Sequence, residues 1–282
     1  MLVQLIHTSN DSGHVGARMG LGPGRILAAG AADRLAAEGH QVETIRVEPR
    51  EPFPTETAIA FETARALARQ VRMAIRQRRF PIVLAGNCMA ALGAVAGQPR
   101  GRVGLVWLDA HADFHTPETT RSGFLDGMAL AAAAGHCWSS LTASIPGFHP
   151  VRPEDILLLG ARDVEEAEQS RLAEHAIVHR DTAGMRADPA AVASAVAALG
   201  TRAERVHLHV DLDVLDPDAV APANRFAVAG GLTLPELLEL VRTLRKGCRM
   251  SAVTISAYDP AFDRADRMCS AALDLLSTLT ET

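Results

Sequence analysis

Eight short apolar runs, each followed by a longer stretch of different character, constrain this 282-residue chain more than any other feature. The runs cover residues 2–7, 41–47, 81–86, 103–109, 155–160, 176–179, 205–213 and 250–256. Most are continuous in Val, Ile and Leu, as in LVQLIH, PIVLAG and DILLLG. A strand of that kind has to be covered on both faces, which is the habit of parallel sheets. Helix-patterned segments lie between them at about 24–38, 56–78, 88–97, 127–135, 164–174, 188–199, 234–245 and 263–278. Thr233-Leu-Pro-Glu236 predicts a capping box, and Asp188-Pro189 opens another helix. Gly200 is read as the left-handed residue that ends the latter. Alternation carried through the whole chain predicts an α/β fold, a doubly wound sheet of about eight parallel strands in a single domain over residues 1–282.

Four long irregular stretches interrupt the pattern, at 11–24, 115–127, 136–150 and 213–231. All but the third follow strand ends, the edge where open α/β sheets bind ligands. Two strand ends are acidic. VGLVWLDAHADFH places Asp109, His111, Asp113 and His115 on alternate positions, and HLHVDLDVLDP puts Asp211 and Asp213 on one face. A lone Asp-x-Asp is usually a turn or a helix cap. Two copies, each at the exit of a very apolar strand and one with an imidazole in step, point elsewhere. Carboxylates this close at the core boundary would cost many kcal/mol or take up protons. Divalent cations remove that cost. An oxygen-rich Asp/His set suits manganese or another first-row ion, and two ions sharing carboxylates activate a water between them. His207 and His209 share the face of Asp211, either as partners behind the ligands or as satisfied core histidines.

Charge and composition close off other classes. The formal charge is −5 with positive residues dispersed, so no basic stripe invites nucleic acid. No apolar run approaches the ~20 residues that cross a bilayer. The opening MLVQLIHTSND reads as a strand rather than a signal peptide. Cys88, Cys137, Cys248 and Cys269 lack paired spacing, which favours reduced thiols and a cytoplasmic location, with a bridge as the alternative.

LDAHADFHTPETTRSGFLDGM and HVDLDVLDPDAVAPA resemble the two metal motifs of the arginase (ureohydrolase) family. GARMGLGPGRILAAGAADRL and LGARDVEEAE resemble two further segments of it, so the resemblance runs from about residue 13 to 263. It implies a three-layer arginase-like fold and a hydrolase of linear amidines that uses two divalent ions, manganese foremost. Asp109 and Asp211 match the carboxylates that bridge both ions. Asp113 matches a ligand of the first ion, and His111 and Asp213 match ligands of the second. In the family a bridging hydroxide attacks the central carbon of a guanidinium or amidine, and urea or a related product parts from an amine. The implied partner is a small guanidino or amidino compound. Homo-oligomers are common in the family, although no interface is legible in this chain.

Departures from the family pattern fall where substrate choice is made. The family's first ligand is the histidine of a GGDH turn, and this chain has AGNC, with Cys88 at the ligand and Asn87 beside it. Cys88 reads as a thiolate ligand because a helix N-terminus lowers a thiol's pKa, with a small buried thiol as the alternative. A subgroup that hydrolyses Nω-hydroxyarginine also resembles this pattern, which makes a hydroxyguanidine a candidate substrate. Asp126 stands where arginases keep a proton-shuttling histidine, and is either a buried acid with that task or a loop acid facing solvent. His115 replaces an asparagine that contacts the substrate's carboxylate, and reads as an anion binder or proton carrier, or as a loop histidine bonded to backbone. Thr120 and Ser122 match hydroxyls that orient that carboxylate, and Glu165 matches the acid that holds the α-amino group. In TISAYDP the guanidinium-pairing glutamate is replaced by Ala257, with Asp259 or Tyr258 as nearby substitutes. Two other functions stay open: a family member that binds ligand or partner without turnover, and a formiminoglutamase or amide hydrolase.

Overall fold

The computed structural model describes residues 1–11, 13–49 and 55–281. Its eight main strands are β1 (Leu2–His7), β2 (Gln41–Arg46), β3 (Phe80–Leu84), β4 (Val103–Leu108), β5 (Ile156–Gly160), β6 (Val178–Asp181), β7 (Arg205–Asp211) and β8 (Met250–Ser256). They form one sheet in the order β2-β1-β3-β8-β7-β4-β5-β6, with every neighbouring pair parallel. The continuous apolar runs account for this. Every residue of β5 and all but the first of β7 are buried, whereas β2 at the edge, QVETIR, is largely exposed. Charged side chains there discourage pairing with another chain.

Among the described residues eleven α-helices accompany the sheet: α1 (Gly22–Ala28), α2 (Ala31–Ala37), α3 (Glu56–Arg76), α4 (Ala90–Ala96), α5 (Ala129–Ala133), α6 (Ser139–Ala143), α7 (Glu166–Glu174), α8 (Thr182–Ala187), α9 (Pro189–Arg202), α10 (Leu234–Gly247) and α11 (Arg267–Thr280). One face packs against α3, α4 and α5, and the other against α1, α2, α9, α10 and α11, which gives three layers with apolar cores on both sides of the sheet. Consecutive strands β3 and β4 are separated by two others, and the chain fills that gap last, with β7 and β8. A crevice opens at the C-terminal edge where the winding reverses, the usual place for a ligand in such sheets.

Local differences from the sequence reading have identifiable causes. The predicted helix over 24–38 is two helices, broken at Gly30 with φ +92°. The final helix starts at Arg267 because the Asp263 carboxylate caps it, accepting from Arg267 N at 2.8 Å and Cys269 N at 2.9 Å. Helices α6 and α8 fall in segments without a clear helical period. Both expected caps form: Glu236 Oε2 accepts from Thr233 N at 2.8 Å, and Asp188 Oδ1 accepts from Ala191 N at 2.9 Å.

Gly200 does not end its helix. It lies inside α9, which runs on to Arg202, because α9 and α10 approach so closely there that a Cβ would land on the Gly247 carbonyl. Glycine serves contact at this position, not a left-handed turn. Gly200→Ala should therefore cost about 1–3 kcal/mol, as overpacking does, read as a lower denaturation midpoint with an unchanged circular dichroism spectrum. All four cysteines are free and buried. Among the described residues no helix is long and apolar enough to cross a membrane.

Candidate metal centre

Five chain segments leave the C-terminal edge at the crevice and converge. Cys88 follows β3, Asp109 to His115 follow β4, and Asp163 to Glu168 follow β5. Asp211 ends β7 with Asp213 in the turn beyond it, and Ala257 follows β8. They surround a cavity of about 240 Å³ lined by Cys88, His111, Asp113, His115, Asp211 and Asp213 among others. Asp109 lies just beneath its floor and is 1% exposed.

Backbone donors and neighbouring side chains hold the acids in place. His111 N donates to Asp109 Oδ1 at 2.8 Å, Asp213 N to Asp211 Oδ1 at 2.8 Å, and Ala110 N to Asp213 Oδ1 at 3.2 Å. Trp107 Nε1 donates to Asp109 Oδ2 at 3.0 Å. Asp113 sits at φ +50°, a conformation that costs a non-glycine residue about 1 kcal/mol or more. Its carbonyl accepts from Leu130 N and Ala131 N at the start of α5, which holds it there.

Among the described residues two trios have donor atoms within 4.8 Å of one another, Asp109 with His111 and Asp213, and Cys88 with Asp109 and His209. In the first, His111 Nδ1 stands 3.3 Å from Asp109 Oδ1 and 3.4 Å from Asp213 Oδ2. Burial, then the charge of Asp213, pushes Asp109 up to about 6. Burial and neighbouring acids carry Asp113 and Asp211 well above the ordinary carboxylate range. Burial pulls His111 down, but Asp213 and Asp109 outweigh it and take the imidazole up to about 10. Asp213 alone is lowered, because His111 and hydrogen bonds overcome its burial. Without a cation the carboxylates oppose one another.

The donor set fits divalent ions. It combines carboxylate, imidazole and thiol groups, and leaves Asp113 Oδ2 and His209 Nδ1 buried without a hydrogen-bond partner. Cys88 enters for a different reason from the one its sequence position suggested. α4 starts only at Ala90, and burial followed by Asp211 raises the thiol well above its usual pKa. Its Sγ donates to Asp211 Oδ2 at 3.1 Å. Helix-terminal acidification is therefore not what favours a thiolate here; a bound cation would be.

The remaining residues separate into those that reach the cavity and those that do not. Asp126 is buried in its lining and accepts from Met89 N at 3.3 Å, which removes the solvent-facing alternative. His115 is buried, with Nδ1 3.2 Å from Thr119 Oγ1 and Nε2 3.6 Å from Glu165 Oε1 and 3.5 Å from Glu168 Oε2, so its partners are side chains rather than backbone. Thr120 and Ser122 line the cavity while accepting from Gly123 N and Phe124 N. Glu165 lines it too and also caps α7. Tyr258 and Asp259 do not join them. Tyr258 is buried and donates to Asp263 Oδ2 at 3.0 Å. Asp259 accepts from Ala261 N at 3.0 Å and lines a smaller adjoining recess.

Sequence reasoning missed three features. Glu168 accepts from Phe114 N at 2.9 Å and Glu165 N at 3.1 Å, bracing the metal loop against α7. Its three-residue spacing from Glu165 was the available signal. Asn224 donates to Asp213 Oδ2 at 3.2 Å and to the Ala257 carbonyl at 2.9 Å. Phe124 and Phe226, with centroids 5.3 Å apart, join two loops across the cavity wall. Neither of the last two has a local signature.

The arginase family matches residues 4–280 of the chain. An arginase of Bacillus caldovelox is 31% identical over 296 residues, covering 98% of this chain and 97% of that protein. One of Bacillus subtilis is 28% identical over 98% of this chain and 97% of its own length. The crystal structure of arginase from Bacillus subtilis matches with a TM-score of 0.89 at 26% identity, over 100% of this chain and 99% of that one.

Proposed function

This chain belongs to the arginase family, and from that premise we propose that it hydrolyses a C–N bond in a guanidino, hydroxyguanidino or amidino compound of amino-acid type. Two divalent ions, manganese foremost, would be held by Cys88, Asp109, His111, Asp113, Asp211 and Asp213. One observation carries the reading: buried Asp113, Asp211, Asp213 and Cys88 line one cavity with half-buried His111, and buried Asp109 lies directly behind His111, 3.3 Å from its Nδ1. When bound, such ions lower the pKa of a water enough to make it a nucleophile at neutral pH.

The chain's own side chains would divide the remaining work. Asp126, buried in the lining, is placed to pass a proton to the departing amine. Glu165 and Glu168, facing His115, form an acidic corner suited to an α-amino group. Thr120 and Ser122 offer hydroxyls to a carboxylate. The same lining carries Ala257, Met19, Phe124 and Phe226 with the amides of Asn87 and Asn224, and without a carboxylate at position 257 it favours a hydroxyguanidine, which loses its proton more readily, over a guanidinium. The four free thiols agree with a cytoplasmic location, and we read residues 1–282 as one working domain.

A turnover screen of the manganese-loaded protein tests this, with arginine, Nω-hydroxyarginine, agmatine, guanidinobutyrate and formiminoglutamate scored for urea, hydroxyurea, formamide and amine. Nω-hydroxyarginine should exceed arginine in kcat/KM by about tenfold or more, the penalty of one unmatched charge. Release of no product from any of the five would favour a relative that binds without turnover.

A further inference from the structure

We propose that His209 is a metal ligand, and that with Cys88 it makes the first metal position a thiolate–imidazole–carboxylate site with the preference of zinc, beside an oxygen-rich position at Asp109, His111 and Asp213 that suits manganese. The inference rests on the binuclear reading above. His209 contributes one of the three donor atoms that lie within 4.8 Å of one another with Cys88 and Asp109. It is 0% exposed, and its Nδ1 has no hydrogen-bond partner. Its Nε2 has one contact, Ser256 Oγ at 3.5 Å, the outer limit of a hydrogen bond. The Cys88 sulfur lies 3.5 Å from the same hydroxyl, so thiol and imidazole converge on it.

The ring is also held as a ligand needs to be. It stacks on Trp107 with centroids 3.7 Å apart and planes at 26°, and the Trp107 Nε1 donates to Asp109 Oδ2. One indole thus orients both the imidazole and the carboxylate of the trio. Asp211 Oδ2, already in contact with the Cys88 thiol, is the available fourth donor. Sulfur and nitrogen in a four-donor set select zinc or cobalt over manganese, which takes oxygen-rich surroundings. His207 supplies the contrast. It lies one step back on the same face and its Nδ1 is orphaned too, but its Nε2 is 3.1 Å from Thr254 Oγ1 and it belongs to neither trio.

The test titrates the metal-free full chain with Co²⁺, Zn²⁺ and Mn²⁺. The wild type should show a sulfur-to-cobalt charge-transfer band with its first equivalent of Co²⁺. His209→Phe, which keeps the stacking but removes the donor, and His209→Asn should weaken Zn²⁺ binding by about 100-fold and shift the cobalt d–d bands. His207→Phe should change neither, and Mn²⁺ binding at the second position should survive in all three. Wild-type Zn²⁺ affinity and cobalt spectra in both His209 variants would make His209 a core histidine and overturn the proposal. Should those variants not fold, X-ray absorption of wild type with one zinc per chain decides. Sulfur plus nitrogen supports the proposal, and sulfur with oxygens alone overturns it. A wild type that takes up none of the three ions defeats the binuclear reading itself.

Discussion

Asp109→Asn should lower turnover about a thousandfold or more while leaving the fold intact. Asp109 is the one residue common to both donor trios, so its charge acts on both metal positions. Asparagine keeps the shape but replaces one acceptor oxygen with an amide nitrogen. Oδ1 accepts from His111 N and Oδ2 from Trp107 Nε1, so either orientation sets donor against donor. Folding should survive because the carboxylate is itself opposed in the metal-free state, where burial and Asp213 hold its pKa at about 6. Steady-state rates beside metal analysis of the purified variant check both halves. Full turnover in the variant would remove Asp109 from the chemistry.

Ala257→Glu should shift preference toward arginine. The residue faces the cavity, and its wall carries no carboxylate at that position. A charge-assisted hydrogen bond to a guanidinium gains roughly 1.5–3 kcal/mol. Ala257 already lies at φ +65°, so glutamate adds no backbone strain that alanine does not carry. The net gain predicts a rise of about tenfold in kcat/KM for arginine relative to Nω-hydroxyarginine. An unchanged ratio would mean that a cationic substrate group is met elsewhere in the cavity, with Asp126, Asp163 and Glu168 as the acids already there.

How far the sequence could be read depended on whether a residue's surroundings are local. The strands were legible because a run such as ILLLG has no stable place except inside a covered sheet. The Asp109 to Asp113 and Asp211 to Asp213 alternations were legible because strand geometry puts such residues on one face. Gly200 was misread because its reason lies on another helix, at Gly247. Glu168 acts on Phe114 from 54 residues away, and the orphaned nitrogen of His209 exists only once β7 and β8 pair. Tyr258 and Asp259 sit beside Ala257 in sequence, yet Asp263 and the turn from Pro260 to Phe262 draw them away from the cavity.

The central claim is that the buried acids coexist because cations sit among them, and thermal denaturation between pH 7 and pH 9, with and without Mn²⁺, tests it most directly. In the metal-free fold Asp113 and Asp211 are raised well above ordinary carboxylates, and His111 is raised to about 10. The folded state therefore holds protons that the unfolded chain has released, so each contribution is full at low pH and lost as pH rises through the folded value. Asp213, His207 and His209, shifted the other way, have completed their opposite contributions below about pH 6.5. The predicted result is a metal-free midpoint that falls from pH 7 to pH 9, and a rise on adding Mn²⁺ that is larger at pH 9. A metal-free midpoint that holds or climbs over that range, and does not move with Mn²⁺, would contradict it.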